Sequence, residues 1–122
     1  MKSIGIIAEY NPFHNGHLYQ IEEIKKNYPD YTIIVVMTGN FTERGDVSII
    51  DKYKRTEIIL NHGIDLVVEL PYPFATQSSD YFAYGAITLL ERLNVEKVVF
   101  GSDSTTTPST SIISSLAILF LL

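Results

Sequence analysis

Four short apolar runs constrain this chain most: Ile4 to Ala8, Ile33 to Met37, Leu66 to Val68 and Val98 to Phe100, rich in Ile and Val and without apolar/polar alternation. A strand with one face in water alternates. Continuous apolar strands belong instead to parallel sheets covered by helices on both faces. The intervening segments carry helical spacing. Leu18, Ile21, Ile24 and Tyr28 fall on one face, with Glu22, Glu23, Lys25 and Lys26 mostly turned away and Pro29 ending the run. Asp51 is placed to cap a second helix of roughly Lys52 to His62, which ends before Gly63. A third begins at Ser78, Ser79 and Asp80 and aligns Phe82, Ala86, Leu89 or Leu90, and Leu93. The order β-α-β-α-β-α-β predicts a Rossmann-like parallel sheet with helices on both faces, whose ligands sit beyond the carboxyl ends of the strands.

Composition narrows the function classes. The 46% apolar content of 122 residues suffices for one real core. Without cysteine, disulfides and Cys-based zinc sites are excluded, and a reduced, cytoplasmic location is expected. Neither a signal peptide nor a membrane span is expected, since the longest apolar run, Leu116 to Leu122, falls far short of the roughly 20 residues a spanning helix needs. A formal charge of −5 argues against binding nucleic acid through overall charge. All 9 Lys and Arg lie at or before Lys97, so any RNA contact must be local, with Arg44, Lys52, Lys54 and Arg55 as the available cations. Residues 104–122 have no charged side chain and no amphipathic period, and read as an atypical tail after a domain of residues 1–103. A membrane-surface or partner-binding segment is an alternative for the tail, although it lacks a basic face.

Chemistry concentrates after the first strand. Pro12 stiffens a turn, Gly16 removes a side chain, and the helix that follows offers free N–H groups to an anion. His14 and His17, three apart, can face one phosphate together and donate to oxygens that gain charge in the transition state. A solvated turn with two incidental histidines, or half a metal site, are the rival readings, and no convincing third ligand completes the latter. Arg44 lies in a loop on the same sheet edge, and Lys52 and Arg55 share one helix face. All three are candidate phosphate or RNA contacts, with an ordinary solvated face as the alternative for the last two. Glu69 reads as structural more readily than as a ligand contact.

His14-Asn15-Gly16-His17 resembles the His-x-Gly-His loop of a nucleotidyltransferase superfamily that includes class I aminoacyl-tRNA synthetases and adenylyltransferases. A closer resemblance rests on the stretch from Gly5 to His17, on Val36-Met37-Thr38-Gly39-Asn40-Phe41, Glu43-Arg44-Gly45, Asp65 to Pro71 and Phe100-Gly101-Ser102. Over about residues 2 to 103 the chain is similar to the amino-terminal part of the tRNA(Met) cytidine acetate ligase family. That resemblance implies an enzyme that joins acetate and ATP, as its Mg2+ complex, into acetyl-adenylate and acetylates N4 of the wobble cytidine of elongator tRNA(Met). It implies a nucleotide cradle of Ile7, Ala8, Glu9, Tyr10, Asn11, Pro12, Phe13, His14, Asn15, Gly16, His17, Leu18, Tyr19 and Gln20, closed by Gly101, with His14 and His17 catalytic. No resident metal is implied. Glu43 stands where the family has Gln, and Val47-Ser48 where it has Pro-Ala. The family's later nucleotide-binding Asn and Arg find no match after Ser102, so a truncated relative is expected, binding ATP weakly and unable to acetylate tRNA alone. Another adenylyltransferase and a non-catalytic binding module remain open, as does the oligomeric state.

Overall fold

The structure, a computed structural model, describes residues 2–42, 45–76, 78–101, 112–113 and 116–121. The elements follow in the order β1 (Ser3–Ala8), α1 (Asn15–Asn27), β2 (Thr32–Thr38), α2 (Lys52–Asn61), β3 (Leu66–Leu70), α3 (Tyr72–Ala75), α4 (Ser79–Arg92), β4 (Lys97–Gly101), β5 (Ile112–Ile113) and β6 (Leu116–Leu121). They form one six-stranded sheet in the order β3-β2-β1-β4-β6-β5. Strands β1 to β4 and β6 run parallel, and β5 is antiparallel to β6. The α/β architecture read from the sequence is therefore present, with strand ends one or two residues beyond the apolar runs.

Two cores separate the sheet from its helices. On one face Ile21 and Ile24 of α1 and Ile59 of α2 pack against Ile4, Ile6, Ile33, Val35 and Met37. On the other, Ala75 of α3 and Ala86 and Leu90 of α4 cover Ile34, Val36, Leu70 and Val98. Consecutive residues of β2 thus point into different cores, which is why the run needs no polar position. At Gly5 in β1, an added Cβ would lie 2.6 Å from Leu90 Cδ2, so the missing side chain lets α4 sit directly on the central strand.

The caps match the expected boundaries. Asp51 accepts from the Lys54 N–H at 2.9 Å at the start of α2, and Ser78 accepts from the Tyr81 N–H at 3.2 Å at the start of α4. Gly63, just past α2, has φ +102, which a side chain would strain. Two features depart from the sequence reading. The short helix α3 intervenes between β3 and α4, begun by Pro73 in its first turn. The tail also contributes to the sheet: β6, a continuous apolar run like β1 and β2, pairs with β4 from Lys97↔Ala117 to Gly101↔Leu121. A strand needs no helical period, so a search for one passes it by.

The winding reverses beside β1. Strands β2 and β3 lie to one side of it and β4 to the other. The carboxyl ends of β1 and β4 flank this switch point, and the crevice expected beside such a point is the usual ligand position in sheets of this kind.

Candidate functional site

The loop from Glu9 to His14 leaves the carboxyl end of β1 at that point. Tyr10 has φ +50, an unfavourable conformation for a side-chain-bearing residue, and a cis Asn11–Pro12 bond follows. Tyr10 is buried, with its ring edge-on to Phe13 at 5.2 Å and to His17 at 4.9 Å. Burial pushes its phenol pKa well above the ordinary value. Its hydroxyl has no hydrogen-bond partner among the described residues. Asn11 accepts from the Ile49 N–H at 2.6 Å and so ties this loop to the one that precedes α2.

His14 and His17 together make the start of α1. His14 is the N-cap, its Nδ1 accepting from the Gly16 N–H at 3.0 Å, while His17 Nδ1 accepts from the His14 N–H at 3.2 Å. The rings stack, with centroids 3.7 Å apart and planes 19° from parallel. A Cβ at Gly16 would lie 2.9 Å from His14 Cε1, so glycine lets the ring fold over the helix start. An imidazole that accepts at Nδ1 carries its proton on Nε2 when neutral. The two caps therefore fix the same neutral tautomer in both rings and set the stacked pair at the positive end of a helix dipole. Such a pair suits an anionic oxygen, above all one whose charge grows during reaction.

The remaining cradle positions divide by burial. Ala8 and Phe13 pack against the core beneath α1, and Ile7 against the opposite one. Pro12, His14, Asn15, Gly16 and Tyr19 are exposed, whereas Glu9, Asn11, His17, Leu18 and Gln20 are half-buried. Gly101 ends β4; since Ile6 pairs with Val99, it stands level with Ala8 across the crevice. Among the described residues no cluster of three or more His, Cys, Asp or Glu could hold a metal ion. Nor is any described helix long and apolar enough to cross a membrane.

The basic candidates fare differently. Arg44 lies outside the described residues. Lys52 Nζ donates to both carboxylate oxygens of Glu69, at 3.2 and 3.0 Å, a bond that raises the lysine pKa. Arg55, expected on an open helix face beside Lys52, is instead wholly buried. Its guanidinium donates to the carbonyls of Ile50 at 2.9 Å, Glu9 at 2.7 Å and Gly39. Burial lowers its pKa, opposed by the charges of Glu9, Asp51 and Glu69. Arg55 is thus a clip joining α2 to the carboxyl ends of β1 and β2. Residues three apart lie roughly 60° from each other around a helix, so a pair at the border of the buried face can turn one side chain inward and the other outward, and spacing alone does not say which.

With this geometry in view, likeness to known proteins decides the family. A profile described as HIGH Nucleotidyl Transferase matches residues 1–118. The chain belongs to that family. The chain is 54% identical over 104 residues to a tRNA(Met) cytidine acetate ligase of Geobacillus sp. (strain WCH70), covering 85% of this chain and 26% of that protein. The corresponding ligase of Thermosipho melanesiensis is 56% identical over 106 residues, covering 85% and 25%. A crystal structure of Thermotoga maritima TmcAL bound with alpha-thio ATP superposes with a TM-score of 0.79 at 48% identity, over 84% of this chain and 25% of that one. Its apo form gives a TM-score of 0.80 at 48% identity. The chain spans about a quarter of the length of these relatives.

Proposed function

We propose that this chain is the ATP-holding part of a tRNA(Met) cytidine acetate ligase, in which acetate is activated as acetyl-adenylate and its acetyl group passes to the N4 amine of a cytidine in elongator tRNA(Met). The observation that carries the reading is the pair of stacked imidazoles, His14 and His17, each accepting at Nδ1 so that the neutral ring holds its proton on Nε2, at the amino end of α1. In this reading the triphosphate lies against Asn11 to His17, and the nucleotide spans the crevice to Gly101. Attack of the acetate oxygen on the α-phosphorus breaks the bond to the bridging oxygen and releases pyrophosphate. The imidazoles hold oxygens that gain charge in that step, and neither ring serves as nucleophile. Mg2+ enters as part of the substrate, chelated by the phosphates of ATP. The ATP analogue in the 48% identical relative supports the choice of nucleotide, and the names of the relatives support the acceptor.

Titrating the labelled chain with MgATP and following its backbone amides tests the binding half. Shifts centred on residues 11–17 and 101 are expected, and a map centred on the β3 edge refutes the reading. ATP–pyrophosphate exchange in the complete ligase, dependent on acetate and not on nicotinate or pantetheine phosphates, tests the chemical half.

A further inference from the structure

A second cavity, of about 210 Å³, opens at the carboxyl ends of β2 and β3, one strand away from the imidazole loop. It is smaller than the roughly 300–1,000 Å³ of sites for drug-sized molecules and suits a single ring system. Phe41 and Tyr72 meet in it edge to face at 5.5 Å, both with exposed surface. Leu70 and Ala75 form the buried floor. At its polar end stands the Lys52–Glu69 ion pair. A Cβ at Gly39 would overlap the Glu69 carboxylate, so glycine there makes room for this arrangement.

The pair limits what the cavity takes. A carboxylate has about four acceptor positions and an ammonium three donors, so one ion pair leaves acceptor and donor capacity side by side. A free anion such as acetate or phosphate would have to displace Glu69 from Lys52 or lie against its charge. A flat, neutral ring with a donor next to an acceptor on one edge meets neither obstacle. Cytosine has that edge, an exocyclic amine beside an unprotonated ring nitrogen, whereas uracil turns a carbonyl toward the carboxylate. The aromatic walls supply a stacking surface, which is how unpaired bases are commonly held.

We propose that this cavity is a base-binding site for cytosine, in which Glu69 accepts from the exocyclic amine, Lys52 donates to the ring edge, and Phe41 or Tyr72 lies against the ring. The proposal rests on the functional reading above for its acceptor and adds the residues that select it. The cavity is held in fixed relation to the imidazole loop, because Arg55 bonds to the carbonyl of Gly39 in the cavity wall and to that of Glu9 at the end of β1.

Cytidine, uridine and MgATP, titrated separately into the labelled chain, test this. Cytidine is expected to shift the amides of Gly39, Asn40, Phe41, Lys52 and Glu69, and to bind at least about fivefold more tightly than uridine. Glu69→Gln, with a dispersed spectrum retained, is expected to bring the two nucleosides within about twofold of each other. Tyr72→Ala, at an exposed position, should weaken both. Equal binding of the two nucleosides by the unaltered chain, shifts elsewhere, no shifts up to the solubility limit, or a preference that survives Glu69→Gln would each overturn the proposal. ATP shifts at residues 11–17 without any cytidine response would refute this site and leave the ATP reading standing. A cytidine response without ATP shifts would do the reverse.

Discussion

Replacing Arg55 by Met separates the two roles a cation at this position can have. The methionine fills much of the same volume but abandons the carbonyls of Ile50, Glu9 and Gly39. A hydrogen bond from a charged donor is worth ~1.5–3 kcal/mol net, and three outweigh the several kcal/mol that burying a guanidinium costs. Stranding the three carbonyls should therefore cost ~3–5 kcal/mol, a large share of the ~5–15 kcal/mol that stabilises a typical domain. With a urea m-value of ~2 kcal/mol/M, the unfolding midpoint followed by circular dichroism should drop by ~2 M. Arg55→Lys should recover only part of this, because an ammonium cannot reproduce the fork that spans three carbonyls. A midpoint within ~0.5 M of the unaltered chain, coupled with lost ATP or RNA binding, would refute the clip and restore Arg55 as a ligand contact.

Four further outcomes are expected. His14→Asn retains an N-cap acceptor and should melt close to the unaltered chain while binding ATP more weakly, whereas His14→Ala should also lose ~1 kcal/mol of stability by thermal melting. His17→Ala in the active ligase should slow ATP–pyrophosphate exchange ~100-fold with a much smaller change in ATP affinity, as expected for a donor that acts mainly in the transition state. Gly5→Ala should cost ~1–3 kcal/mol in urea unfolding through its clash with Leu90, and the added change Leu90→Val should return part of that loss. Tyr10 keeps its proton when folded but ionises from about pH 10 when unfolded, so the stability it contributes is complete below pH 10 and falls above it by up to ~1.4 kcal/mol per pH unit. Tyr10→Phe should remove that part of the alkaline loss in denaturation curves taken from neutral to alkaline pH.

The strands, the three long helices and their caps were legible because each depends on near neighbours in sequence: runs of Ile and Val, Asp51 or Ser78 before a helix, Gly63 after one. The imidazole loop was legible for the same reason. Arg55 was not, since its burial depends on carbonyls 16 and 46 residues away that only the folded sheet brings near. The cavity at β2 and β3 was hidden likewise. Phe41, Lys52, Glu69 and Tyr72 belong to four separate segments, and Glu69 read singly is a strand-end acid. Tyr10 looked like one more member of a motif, and nothing local marks a tyrosine whose ring goes inward while its backbone takes a left-handed turn. Helix α3 had a signal, Pro73 opening an apolar turn, but four residues are too few to display a period.

The central place of β1 also bears on how the molecule is made. Its partner on one side, β2, follows after a single helix, so the edge from β1 to β3 can assemble from contacts between consecutive segments. Its partner on the other side is β4, which returns to Ser3 from Asn94 and Glu96 across more than 90 residues. Closing so long a loop costs entropy before any contact compensates, and such pairings are slow to form. During synthesis, which proceeds from the amino to the carboxyl terminus, the imidazole loop is made before β4 and waits with one wall of its crevice missing. The cleft between β1 and β4 becomes complete only when the fourth strand arrives, so on the function proposed above ATP would be a ligand for the sheet with β4 in place and not for its early half.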